Sequence, residues 1–112
     1  MTTETDNTRL LCTDYIGAYY MKGTGKLTIF ACGVTADTTT DIRIKEVPWM
    51  GALKFKIVGE MAHWAGFKFY TASFTKEIKA FPNPALPGDI VLMEDAENPG
   101  GQPVKVKFYG LG

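Results

Sequence analysis

The sequence predicts an all-β fold, a two-sheet antiparallel β-sandwich of seven to eight strands. Three observations carry that reading. Short runs of alternating apolar and polar residues recur along the chain, and each can bury one face of a strand. Clusters of Gly, Pro, Asn and Asp separate the runs, as turns between strands require. No stretch sustains the periodicity of an amphipathic helix.

Arg9 to Asp14 is the first strand candidate and Ile16 to Met21 the second. Lys22-Gly23-Thr24-Gly25 then reads as a tight turn. It is not a phosphate loop: Tyr20 stands where that motif needs a glycine, and Leu27 where Ser or Thr must follow the lysine. Lys26 to Val34 is nearly continuously apolar, as suits a central strand. Ile42 to Val47 follows a polar loop and ends at Pro48.

Leu53 to Val58 and Phe67 to Phe74 read as the central pair of strands. Between them, Gly59 to Trp64 has the composition of one helical turn. Phe81 to Gly88 holds three prolines and is a loop. Ile90 to Met93 is a short strand, Asn98-Pro99-Gly100-Gly101 a turn, and Val104 to Tyr109 a cleanly alternating last strand. The order of strands and turns fits an immunoglobulin-like layout. The predicted core is Leu27, Ile29, Ile42, Ile44, Leu53, Phe55, Ile57, Phe67, Phe69, Leu92, Val104, Val106 and Phe108.

At 112 residues the chain is one ordinary domain. Residues 1–8 are polar and acidic and are expected to be flexible, leaving residues 9–112 as a single sandwich domain. Twelve basic and twelve acidic residues cancel. That balance argues against a generic nucleic-acid binder, which carries a basic excess, and it lowers the charge repulsion that opposes self-association. No run approaches the roughly 20 apolar residues of a membrane span, and the start lacks the pattern of a secretion signal. A cytoplasmic protein without a membrane partner is the expectation. Cys12 and Cys32 are then expected to be free, buried thiols.

Cations fall inside strands. Arg43, Lys45, Lys54, Lys56, Lys68, Lys105 and Lys107 alternate with apolar residues, which places them on the solvent face. Acids fall in connections. Asp37 with Asp41, and Asp89 with Glu94, Asp95 and Glu97, offer oxygen ligands but lack the spacing of a calcium loop.

The candidate binding residues are Trp49, His63, Trp64 and Tyr70. Indole faces anchor protein interfaces and stack on sugar C–H faces, and His63 is the single side chain that ordinarily titrates near neutrality. These features predict a non-enzymatic interaction or assembly module, able to form a homo-oligomer or bind a protein partner. The alternative is a small-molecule or carbohydrate-binding module. A small hydrolase centred on His63 is a second alternative, for which no catalytic partner or cofactor can be named from the sequence.

Overall fold

The computed structural model describes residues 8–48, 53–61, 63, 66–78 and 90–110. They form eight strands: β1 (Thr8–Leu10), β2 (Tyr15–Met21), β3 (Lys26–Ala36), β4 (Thr40–Val47), β5 (Lys54–Glu60), β6 (Phe67–Glu77), β7 (Ile90–Asp95) and β8 (Asn98–Tyr109). The all-β class follows the sequence pattern directly. Among the described residues no helix is long and apolar enough to cross a membrane.

The strands lie in the order β1-β5-β7-β8-β2-β3-β6, with β4 also paired to β5. Val58 of β5 pairs with both Leu10 and Arg43, so β4 holds one edge of β5 while β1 and β7 share the other. This corrects the expected pair of separate antiparallel sheets. Two pairings are parallel, β5 with β7 and β2 with β8. One strand also serves both halves: β8 pairs with β7 as far as Lys105 and with β2 from Val106 onward. At about 3.3 Å per residue, β8 is roughly 40 Å long, enough to span both. The result is a single mixed sheet curled into a half-barrel.

The curl brings β4 and β6 together. Lys76 donates to both Glu46 oxygens at 2.9 and 2.7 Å, and the Lys68 ammonium donates to the Thr39 carbonyl at 2.6 Å. β5 and β6, read as a central pair, are therefore not neighbours. β6 pairs with β3 and ends the strand order. The second edge of β3 needs a long partner, and β6 matches it over eleven consecutive register positions, Lys26↔Glu77 to Ala36↔Phe67.

Inside the curl, Leu27, Ile29, Phe55, Ile57, Val91 and Met93 are almost fully buried, with Ile44, Val104 and Val106 close behind. Two core assignments fail outright: Phe67 is 66% exposed and Phe69 is 84% exposed. The strand Phe67-Lys68-Phe69-Tyr70-Thr71-Ala72-Ser73-Phe74 changes the parity of its apolar residues halfway, so one set must face out. Pairing with β3 sets Ala72 opposite Ala31 and Phe74 opposite Ile29, both core residues. Phe74 also packs on Phe55 with ring centres 5.4 Å apart. The even-numbered face wins.

The same choice turns Lys68 inward, against its expected solvent position. Lys54 is likewise buried rather than exposed, because it lies beside Gly101 and pairs with Glu94 at 3.0 Å. Leu92 is half-buried, since Val91 and Met93 take the core face of β7.

The expected turn at Asn98–Gly101 belongs to β8 instead. Asp95 pairs with Asn98 and Met93 with Gln102, so the extra residues form a bulge, and Gly101 supplies its positive φ of 98°. Gly59 and Glu60, assigned to a helical turn, extend β5. The predicted turn after Met21 is present, closed by Gly25 N–H donating to the Met21 carbonyl at 2.8 Å.

Candidate functional site

The outer face of β2, β3 and β6 carries an aromatic surface. Period two places Tyr15, Gly17 and Tyr19 of β2 on it, beside Phe30, Cys32 and Val34 of β3 and Phe67, Phe69, Thr71 and Ser73 of β6. Gly17 lies opposite Phe30, and a Cβ at Gly17 would sit 2.4 Å from the Phe30 ring. The missing side chain is thus the seat of the ring, which lies back between Tyr15 and Tyr19 at 5.7 and 6.2 Å between ring centres. Tyr109 of β8 extends the row, 6.0 Å from Tyr19.

Between this row and β6 runs a trough of about 380 Å³, walled by Tyr15 and Phe30 and lined by Cys32, Thr71 and Ser73. Large rings stand on one side and small hydroxyl residues on the other. Farther along the same strand, Phe69 and Phe67 project into solvent.

A second, polar pocket of about 190 Å³ lies across Tyr15 and is lined by Thr13, Asp14, Asp95, Glu97, Asn98 and Gln102. Asp95 is buried there, and its carboxylate is filled by donors. It accepts from the Thr13 hydroxyl at 2.6 Å, the Glu97 and Asn98 N–H groups at 3.1 and 2.8 Å, and the Asn98 and Gln102 amides, each at 3.0 Å. This pins the β7–β8 hairpin to the entry of β2.

Of the other acids considered as calcium ligands, Glu94 pairs with Lys54, Asp37 accepts from the Gly66 N–H, Asp41 pairs with Arg43, and Glu97 lines the polar pocket. Asp89 lies outside the described residues. Among the described residues no group of three or more metal-ligating side chains converges.

Of the sequence-derived binding set, the described residues include His63 and Tyr70. Trp49 and Trp64 lie outside the described residues. His63 is exposed, and its backbone carbonyl accepts the Thr38 hydroxyl. Tyr70 is 6% exposed and donates its hydroxyl to the Cys12 carbonyl at 2.5 Å, so its phenol ties β6 to the segment before β2. Burial, then the negative charges of Cys12 and Asp95, push its phenol far above the usual range. Both thiols are free, as expected, but Cys12 is exposed rather than buried. Partial burial, then Glu97, Asp95 and Asp14, raise its pKa.

Sequence reasoning missed Tyr15, Tyr19 and Phe30. The available signal was Tyr15-Ile16-Gly17-Ala18-Tyr19, in which a glycine stands between two same-face aromatics and leaves a seat for a ring from the next strand. No family model matches the chain, and no curated protein or solved structure matches it.

Proposed function

We propose that this chain is a non-enzymatic interaction module that assembles by pairing β6 of one copy with β6 of another. The observation that carries this reading is that, among the described residues, no strand pairs with the outer edge of β6, which bears the exposed ring of Phe69. Ile78 donates its N–H to the Gly25 carbonyl at 2.7 Å, and Asp37 donates to the Gly66 carbonyl at 2.8 Å. Even-numbered residues of β6 therefore bond to β3. The N–H and C=O groups of Phe69, Thr71, Ser73 and Thr75 point the other way.

Natural edges are guarded by shortness, proline, bulges or outward lysines. β6 is eleven residues long, pairs with β3 without a bulge, and contains no proline. Its two lysines lie on the inner face, tied to Glu46 and Thr39. Burying a phenylalanine side chain is worth about 1.5–3 kcal/mol relative to leaving it exposed. Balanced net charge adds little repulsion between copies.

The test is solution mass by light scattering over a roughly hundredfold dilution, with two proline variants. Ser73→Pro removes an N–H that faces the open edge, so it is expected to fold and to be monomeric. Ala72→Pro removes an N–H bonded to β3 and is expected to unfold. A wild-type chain that is monomeric at the highest concentration overturns the reading.

The trough favours a second reading, a small-molecule or carbohydrate-binding module. Its volume of about 380 Å³ falls in the range of ligand pockets, and Tyr15 offers a half-exposed ring beside the Thr71 and Ser73 hydroxyls. A thermal-shift screen against glycans and metabolites tests it. A hit abolished by Tyr15→Ala supports this reading, and a flat panel counts against it.

A further inference from the structure

We infer that the aromatic row on the outer face of β8, β2 and β3 seats a linear acidic oligosaccharide, with a neutral sugar at Tyr15 and a carboxylate-bearing sugar at Lys105 and Lys107. This rests on the carbohydrate-binding reading and names the class of glycan. The row has two ends of opposite character. Tyr15 stands at one, 54% exposed, between the trough and the polar pocket. The Thr71 and Ser73 hydroxyls lie on one side of it and the exposed Asp14 and Glu97 on the other. Hydroxyls and carboxylates around a flat ring are the few polar groups that orient a sugar, because each accepts from a sugar hydroxyl. An unbroken run of ring contacts through Phe30 and Tyr19 joins this end to Tyr109, itself 49% exposed.

Cations gather at the Tyr109 end. Val104 and Val106 are buried, so period two sends Lys105, Lys107 and Tyr109 to the outer face together. Lys107 lies in register with Tyr19, Tyr109 with Met21, and Met21 in turn with Lys26. Lys26, Lys105 and Lys107 are exposed, and among the described residues none of them forms an ion pair. Glu77 lies across from Lys26 and partly offsets it. The positive end is therefore carried by Lys105 and Lys107.

Charge decides the class of polymer. A single-stranded nucleic acid also stacks on aromatic side chains, but it carries a phosphate on every unit. Its phosphates at the Tyr15 end would meet Asp14 and Glu97, and like charges there repel. A glycan that combines neutral and acidic sugars meets both ends on favourable terms. Its hydroxyls face the acids beside Tyr15, its C–H faces lie on the tyrosine rings, and its carboxylate reaches the Lys105 and Lys107 ammonium groups.

Calorimetric titration at low ionic strength tests this with matched pairs: a hyaluronan hexasaccharide against its carboxyl methyl ester, and sialyllactose against lactose. In at least one pair the acidic member is expected to bind about tenfold more tightly, the scale of two surface ion pairs, and to lose that preference in high salt. The double variant Lys105→Gln, Lys107→Gln is expected to erase the preference while leaving the neutral member's affinity unchanged. Both side chains are exposed, so this variant keeps the fold. Tyr15→Ala is expected to weaken both members alike. Equal affinity within each pair, untouched by the lysine changes, overturns the acidic class and leaves the carbohydrate reading standing. No binding by any of the four glycans overturns both. An oligothymidylate that binds more tightly than every glycan also overturns the inference and gives the face to nucleic acid.

Discussion

The phenol of Tyr70 ties β6 to the segment before β2, and that single bond has a measurable pH signature. Its pKa is raised in the folded chain by burial and by nearby negative charge. Below about pH 10 both states keep the proton, and the bond contributes in full. Above that, the unfolded chain releases a proton that the folded chain holds. Stability therefore falls as pH rises, by up to about 1.4 kcal/mol per pH unit from this one group. Tyr70→Phe is expected to cost about 1 kcal/mol at neutral pH and to flatten the decline above pH 10. Urea denaturation of both proteins from pH 7 to 11 measures this. Parallel curves at all pH values would show that the hydroxyl has no such role.

At the scale of strands, two glycines separate a displaceable neighbour from a fixed one. A Cβ at Gly17 would meet the Phe30 ring at 2.4 Å, whereas a Cβ at Gly33 would meet the Cys12 carbonyl oxygen at 2.6 Å and the Thr13 Cα at 3.1 Å. A half-exposed ring can swing outward, but backbone held by the Asp14 N–H to Cys32 carbonyl bond at 2.8 Å cannot yield cheaply. Gly33→Ala is expected to destabilise by about 2–4 kcal/mol and Gly17→Ala by about 1 kcal/mol or less. Gly17→Ala should also shift the near-ultraviolet circular dichroism of the aromatic row. Chemical denaturation and the aromatic spectrum check the pair, and the reverse ranking would count against this account.

Such contacts explain where the sequence could be read and where it could not. Strand positions followed from alternation, because burying one face is a local demand that Leu27, Ile29, Phe55 and Ile57 state plainly. The face of β6 did not follow. Its apolar residues support both parities, and only its neighbours in space, Ile29 and Phe55, decide between them. The parallel pairings and the shared use of β8 were hidden for the same reason, since they join residues far apart in sequence. The candidate surface was sought at Trp49 and Trp64, which lie outside the described residues, whereas the exposure of Tyr15 and Tyr109 depends on the strand alongside. The seat at Gly17 could be read from the sequence, but that Phe30 fills it follows only from the pairing of β2 with β3.

For the whole molecule, β2 beside β8 joins Ala18–Met21 to Val106–Tyr109. Nearly the entire chain must be gathered before this pairing forms, which places the protein among the slow, millisecond-to-second folders. The same parallel pair is expected to act as a mechanical clamp. Tension applied at the start of β2 and the end of β8 pulls the two strands past each other, so their hydrogen bonds resist together instead of breaking one by one. Single-molecule stretching through handles at Asp14 and Gly110 should give one high-force rupture. Moving the second handle to Pro99, at the start of β8, turns the load into peeling and should lower the force severalfold. Equal forces from both geometries would show that strength lies elsewhere in the half-barrel. In a string of joined copies, each domain would hold its shape under tension along this axis and open readily under a pull from the other end of β8.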